Sequence, residues 1–213
     1  MAFFKIRYRG RLRHSNEVMQ LADEVEDICK SNGWKSHRWD EDWSKPNTVR
    51  MNLDEGALHT EGHAPLKGIS FNPGPEMETI WLTFTPDGIL NSLFTLNDPN
   101  FTADDQIYPW NRVKTLLGDA NTHAEICNLF RYVADKYCSD FEVNEESGYW
   151  IHQDRERLEK FMNQIAVKDK QLEEELAAVY ADEHLDPEQK RAIIYDLMRQ
   201  FGEMNKPYNL DED

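Results

Sequence analysis

Apolar and cationic positions alternate along the first dozen residues: Phe4, Ile6, Tyr8 and Leu12 stand among Lys5, Arg7, Arg9, Arg11 and Arg13. A period of two sends each set to its own side of a strand, so the pattern predicts a β-strand with one apolar and one wholly cationic face. Gly10 breaks the apolar row once, as a bulge would. From Val18 the period changes. Val18, Leu21, Ala22, Val25, Ile28 and Cys29 recur at helical spacing behind a cap at Ser15 or Asn16, which predicts a helix ended by Gly33. A second strand is expected from Trp34 to Trp43.

Between Lys45 and Leu66, Pro46, Gly56, Gly62 and Pro65 interrupt every period, and the segment reads as a long irregular connection. Gly68 to Phe71, Thr79 to Thr85 and Ile89 to Leu96 then read as an antiparallel meander, with turn chemistry at Pro86-Asp87-Gly88. A polar loop, Asn97 to Tyr108, precedes a short strand at Val113 to Leu116. Thr122 and Glu125 have the spacing of a capping box ahead of Ile126, Leu129, Phe130, Val133, Ala134 and Tyr137. Phe141 to Val143 returns to strand, and Asp154 caps a third helix carrying Leu158, Phe161, Met162 and Ile165. Helix, strand, acidic turn and Trp occur in that order twice, at Val18 to Trp43 and at Ile126 to Trp150, which hints at an internal duplication.

Beyond Val167 two further helices are expected, folded as an antiparallel hairpin. Leu172, Leu176, Val179 and Tyr180 form one stripe; Ile193, Ile194, Leu197, Met198 and Phe201 form the other. Asp186-Pro187-Glu188-Gln189 is a helix start with Asp as cap, Pro at the first helical position and Gln closing the box, and Gly202 suits the other end. The whole is α+β: a twisted, mainly antiparallel sheet with amphipathic helices on one face, plus a C-terminal helical hairpin. Residues 1–166 are read as the α+β core domain and 167–213 as a helical extension with an acidic tail. Two such helices cannot bury both stripes on each other alone, so they must dock on the core, on a second copy or on another protein, and a protein partner or self-association through them is expected.

Composition narrows the function. With 213 residues, 39% of them hydrophobic and 30% charged, the chain can bury a core without staples. A net charge of -16 repels phosphate backbones and anionic lipids, so general nucleic-acid binding is disfavoured and no membrane role is expected. No apolar run approaches a membrane span and Met1 to Gly10 lacks a secretory h-region, so the expected location is cytoplasmic. Cys29, Cys127 and Cys138 form no C-x-x-C pair, and neither a disulfide framework nor a zinc ribbon is expected.

Several segments together resemble an uncharacterised family of bacterial proteins. They are Leu66-Lys67-Gly68-Ile69-Ser70-Phe71, Trp81-Leu82-Thr83-Phe84, Asp87-Gly88, Val113-Lys114-Thr115, the helix at His123 to Tyr137, Asp140-Phe141-Glu142-Val143 and Gly148-Tyr149-Trp150. The resemblance covers roughly Lys67 to Leu158. That family has no established activity, so the resemblance implies no catalytic residue, and the segment after Ile165 departs from its pattern.

Four groups of residues have candidate chemistry. His59, Glu61 and His63 place two imidazoles four apart, the spacing at which a helix would share one metal ion, but Glu61 sits in neither position that known zinc motifs use and Gly62 opposes a helix. His123 and Cys127 are also four apart and allow a nucleophilic dyad. His37, Trp39 and Trp43 form a candidate aromatic face on the second strand, suited to stacking or to core packing. The ladder Lys5, Arg7, Arg9, Arg11 and Arg13 is a candidate face for an anion or a partner, with the acidic runs Asp40-Glu41-Asp42 and Glu142, Glu145, Glu146 expected to neutralise it. No set is catalytically complete, and no cofactor is expected. The expected function is that of a non-enzymatic binding or interaction protein. The alternatives are a metal-dependent hydrolase using His59, Glu61 and His63, and an anionic-ligand or nucleic-acid binder using the Lys5 to Arg13 face.

Overall fold

The computed structural model describes residues 5–54, 57–74, 77–96, 109–115 and 120–204. Phe4, the loop 97–108, Leu116 and the acidic end 205–213 lie outside the described residues. Strand β1 (Lys5–Leu12) alternates as the sequence requires, with Ile6, Tyr8 and Leu12 buried and Arg7 and Arg11 exposed. Gly10 is buried too, and its lack of a side chain has a steric reason. A Cβ there would lie 2.7 Å from the Asp140 carbonyl oxygen and 2.8 Å from the Phe141 ring.

Helix α1 (Val18–Asn32) follows a single 3-10 turn at Ser15–Glu17. Neither Ser15 nor Asn16 caps it with a side chain, so the expected cap is corrected to that turn. Its far end closes as predicted: Gly33 takes a left-handed φ of 70°, its N–H donates to Lys30 O, and the Trp34 N–H donates to Cys29 O. Strand β2 (Lys35–Asp40) is shorter than the Trp34 to Trp43 reading and leaves Trp43 in the turn beyond it.

The Lys45 to Leu66 connection is not irregular throughout. It contains the hairpin β3 (Arg50–Asp54) and β4 (Ala57–Glu61), paired from Arg50↔Glu61 to Asp54↔Ala57. β5 (Lys67–Asn72), β6 (Ile80–Phe84) and the two-residue β7 (Leu90–Asn91) give the antiparallel sheet order β2-β5-β6-β7. The expected strand to Leu96 stops early because Ser92 and Thr95 turn the chain into a short helix, α2 (Leu93–Leu96). The Ser92 Oγ accepts the Thr95 N–H and the Thr95 Oγ1 accepts the Ser92 N–H.

β8 (Asn111–Lys114) and β9 (Cys138–Glu145) flank β1 in a second sheet, β8-β1-β9. Helix α3 (Ala120–Tyr137) begins before Thr122, so that residue lies inside the first turn and the expected capping box does not mark the start. Arg11 bridges Ile89 and the Leu12 N–H donates to Gly88 O, which joins the end of β1 to the turn before β7.

Register decides which residues share a face. Phe71, Ile69, Ile80 and Leu82 point toward α1, where Trp34 stacks on Phe71 with ring centroids 5.4 Å apart. Trp39, Ser70 and Trp81 share the opposite face of that sheet, which is covered by Val49, Ala64, Leu66 and Leu93. Both faces of β6 are therefore buried, which accounts for its unbroken Ile-Trp-Leu-Thr-Phe run. On the other sheet, Phe130 of α3 lies 4.6 Å from Tyr8 and 5.8 Å from Phe141.

Residues 5–144 make up one compact unit and residues from 145 onward a second. In the second, α4 (Tyr149–His152) leads to α5 (Arg155–Ala181), one continuous helix where the sequence suggested two. The Asp154 Oδ1 caps it by accepting the Arg157 N–H at 3.0 Å. Leu158, Ile165 and Leu172 are its buried positions, seven residues apart, the spacing of a helix-pairing seam. It pairs with α6 (Pro187–Met204), which runs through Gly202 rather than ending before it. The chain is thus α+β, with antiparallel sheets and a C-terminal helical pair.

Candidate functional site: a cationic sheet face beside an aromatic cleft

β8 pairs antiparallel with β1 in the register Lys5↔Lys114, Ile6↔Val113, Arg7↔Arg112 and Tyr8↔Asn111. The cationic ladder read from β1 is therefore widened by a second strand. Arg7 and Arg112 stand directly opposite each other, both exposed, and among the described residues neither guanidinium meets a carboxylate. Like charges directly opposed across strands destabilise a sheet, and two more cations, Lys5 and Lys114, face each other two positions along.

The rest of the ladder is occupied. Arg9 donates from Nη2 to both Glu142 carboxylate oxygens, at 2.7 and 2.9 Å, and its guanidinium lies 4.4 Å from the centre of the Trp110 ring. Arg11 donates to Asp87 O, and Arg13 to the carbonyls of Lys136 and Cys138, where it caps the end of α3. Lys114 pairs with Glu78, its Nζ 3.4 Å from Oε1 while its N–H donates to Oε2 at 3.0 Å.

Beside this face lies a cleft of about 730 Å3. Trp81, Phe94 and Trp110 form its aromatic walls, Ser92, Thr95 and Asn111 supply hydroxyl and amide groups, and Arg112 and Glu78 bring charge. Phe94 and Trp110 are 54% and 38% exposed, so both rings keep open surface beside the cleft. Phe94 meets Trp81 edge-on at 6.3 Å. Arg112 belongs to both features: it lines the cleft and it faces Arg7.

The candidate aromatic face is brought together in part. His37 lies 4.9 Å from Trp39, and Trp39 lies 5.4 Å from Trp81 while donating from Nε1 to Ser70 Oγ. Trp39 thus packs against the small core over the second sheet face. Trp43 does not join it: its Nε1 donates to Phe84 O, and Lys67 sits over its ring at 5.5 Å.

The possible metal ligands are spread along strand and loop. His59 is exposed in β4 opposite Asn52, and Glu61 lies opposite Arg50. His63, past the end of the hairpin, has Nδ1 3.2 Å from Glu41 Oε2 and Nε2 2.9 Å from Asp42 O. Among the described residues no three His, Cys, Asp or Glu side chains gather around one point. Asp40, Glu41 and Asp42 do not neutralise β1 as expected. Asp40 pairs with Lys67, Glu41 with His63, and the Ser44 hydroxyl holds the Asp42 carboxyl below its ordinary pKa. Glu142 fulfils that expectation through Arg9.

His123 and Cys127 are both buried on α3, His123 with Nδ1 3.0 Å from the Thr115 hydroxyl, so the pair faces the core rather than a substrate. Burial pushes the Cys29 thiol up to about 11 and Cys138 up to about 12, which suppresses the reactive thiolate at both.

Trp110, Phe94, Arg112 and Lys114 escape a reading of the sequence as a site. The alternation Arg112-Val113-Lys114 repeats the pattern of β1, but which strand it joins is a long-range fact. No protein-family model, no curated protein and no solved structure matches this chain. Its function is therefore argued from the site alone.

Proposed function

We propose that this chain is a binding protein that holds a small anionic ligand on the solvent face of the β8-β1-β9 sheet. One observation carries the reading: Arg7 and Arg112 face each other in register and, among the described residues, pair with no carboxylate, in a chain whose net charge is -16. Acid is abundant, yet among the described residues none stands at the point where two guanidinium groups repel. An oxyanion bridging the pair converts that repulsion into two charge-assisted contacts of the bidentate kind at which arginine excels. The ion pairs at Arg9 and Lys114 hold the flanking side chains in place.

Calorimetric titration with inorganic phosphate and with pyrophosphate tests the reading. Saturable binding is expected, weaker at raised ionic strength. Arg7→Gln and Arg112→Gln should each lower the affinity by roughly tenfold or more, the scale of a lost charged hydrogen bond. No saturable heat with either anion at low salt sinks the proposal.

A second reading, self-association, has its own support. Tyr195 and Met198, three positions apart on one side of α6, are exposed, as is Tyr180 near the end of α5, so two copies of the hairpin can offer each other the same apolar groups. Light scattering of the full chain and of Tyr180→Ser/Tyr195→Ser decides it. A dimer mass that the double variant lowers is expected, and a monomer in both removes the reading.

A further inference from the structure

We propose that the cleft beside the arginine pair takes a planar ring, so that the ligand is a nucleoside phosphate with its phosphate on Arg7 and Arg112 and its base among Phe94, Trp110 and Trp81. This rests on the anion-binding reading and goes beyond it, because the cleft is a separate observation from the charge.

The two features meet at Arg112, which lines the cleft and opposes Arg7. A ligand that uses both must carry its charge and its apolar part within one residue's reach, as a nucleoside phosphate does. The cleft volume, about 730 Å3, lies within the range of small-molecule sites. Its exposed rings are Phe94 and Trp110, and aromatic rings with open surface are what stacking on a base requires.

Trp110 is also held in advance. Arg9 lies over its ring and is itself gripped by both oxygens of Glu142, so little side-chain freedom is left to lose on binding. Thr95 and Asn111 line the same cleft with their polar groups bonded to Ser92, to Leu90 O and to each other, which fixes that wall in place. Glu78, the acidic lining residue, is engaged by Lys114 and so does not oppose the phosphate unscreened.

Charge decides between a mononucleotide and a strand. Only a local patch is cationic, and each further phosphate of an oligonucleotide would pass over a surface that is acidic on balance. The ligand is therefore a single nucleotide.

Four probes separate the possibilities: inorganic phosphate, adenosine, AMP and a short single-stranded oligonucleotide, each titrated into the full chain. AMP is expected to bind at least about tenfold more tightly than phosphate, the lower range for stacking one base on aromatic side chains. Phe94→Ala and Trp110→Ala should each reduce that advantage and leave phosphate affinity unchanged. The Phe94 variant serves as the safeguard, because its ring is more than half exposed and its loss leaves the fold intact. Arg112→Gln should weaken AMP and phosphate together.

Equal affinity for AMP and phosphate overturns the inference while the anion-binding reading stands. Adenosine binding as tightly as AMP overturns it by removing the phosphate from the arginine pair. Tighter binding of the oligonucleotide, with a salt dependence of several charges, replaces the mononucleotide by a strand. If phosphate, pyrophosphate and AMP all fail to bind, the anion-binding reading fails first and this inference falls with it.

Discussion

The hydroxyl of Tyr8 makes two hydrogen bonds with the backbone of a single residue, Trp81: it donates to the Trp81 carbonyl at 3.1 Å and accepts the Trp81 N–H at 2.9 Å. The reason lies in the lengths of the strands. On one side β6 is paired along its length with β5, but on the other β7 reaches only Thr83 and Phe84. Trp81 is left with a buried donor and acceptor and, among the described residues, no strand on that side. The phenol, itself fully buried, does what a missing strand would do, and it ties β1 of one sheet to β6 of the other. Burial pushes its pKa far above the ordinary tyrosine range, so it remains a neutral donor and acceptor.

Tyr8→Phe keeps the ring against Phe130 and removes only the hydroxyl. Two buried backbone groups then lose their partners, and the expected cost is about 2 to 4 kcal/mol. The urea midpoint should fall with an unchanged slope, the sign that stability alone has altered. Because Trp81 also walls the cleft, its fluorescence should report a displaced ring. An unchanged midpoint contradicts the assignment.

Glu24 of α1 makes the brace to α3. Its carboxylate accepts from Lys136 Nζ at 2.8 Å on both oxygens and from the Tyr132 hydroxyl, and these bonds, Lys136 first, lower its pKa from 4.5 to about 2. A carboxyl depressed in the folded state takes up its proton more readily when unfolded, so its contribution is complete above about pH 4.5 and is lost as pH falls toward 2. Glu24→Gln should therefore be less stable than the parent at pH 7, with the gap in urea midpoint closing between pH 4.5 and 2. A gap that is constant with pH contradicts the sign.

How much of this was legible in the sequence depends on the range of the interaction. The cationic face of β1, the Gly33 stop and the Asp154 cap are local patterns, and each stands where the residues place it. The β3–β4 hairpin was missed because the alternation of Met51 and Leu53 with Arg50, Asn52 and Asp54 is short and its partner Ala57-Leu58-His59-Thr60-Glu61 does not repeat it. The site itself needed register. Arg7 and Arg112 are 105 positions apart in the numbering and become a pair only when β8 docks on β1. Charge repulsion gives no hint of that pairing and argues against it. The acidic run at Asp40 to Asp42 misled for the same reason: composition suggested a partner for the arginines, while local geometry assigned those carboxylates to Lys67, His63 and Ser44.

Gly10 sits where β9 passes closest to β1. In Gly10→Ala the added methyl would lie 2.7 Å from the Asp140 carbonyl, a backbone atom that cannot swing aside as a side-chain end does. The strands must part, and the Arg9–Glu142 pair next to this position is strained with them. The expected cost is about 1 to 3 kcal/mol, as for overpacking in a core. The same variant should weaken AMP binding, since Arg9 no longer holds Trp110 as firmly. Parent stability in Gly10→Ala excludes the steric account.

The last prediction concerns the start of α6. There Asp186 Oδ1 accepts the N–H groups of Glu188 at 2.8 Å and Gln189 at 2.9 Å, while Gln189 Oε1 accepts the Asp186 N–H at 3.0 Å. Pro187 has no N–H to satisfy, so the box provides for the first donors of the helix. Lys190 adds a bond from Nζ to Tyr180 O at 2.9 Å, fastening this turn to the end of α5. Asp186→Ala removes two acceptor contacts at once and should cost about 1 kcal/mol, which lowers amide-exchange protection in α6 by about fivefold. Asp186→Asn, a cap of similar quality, should restore most of it. The amides of β5 and β6 belong to the other compact unit and serve as the control: their protection should not move in either variant. Equal loss of protection in α6 and in β5 and β6 means that the hairpin and the sheets open together, and the cap is then not a local device. Loss in α6 alone, repaired by Asn, shows that the hydrogen bonds at Asp186 hold the beginning of the helix.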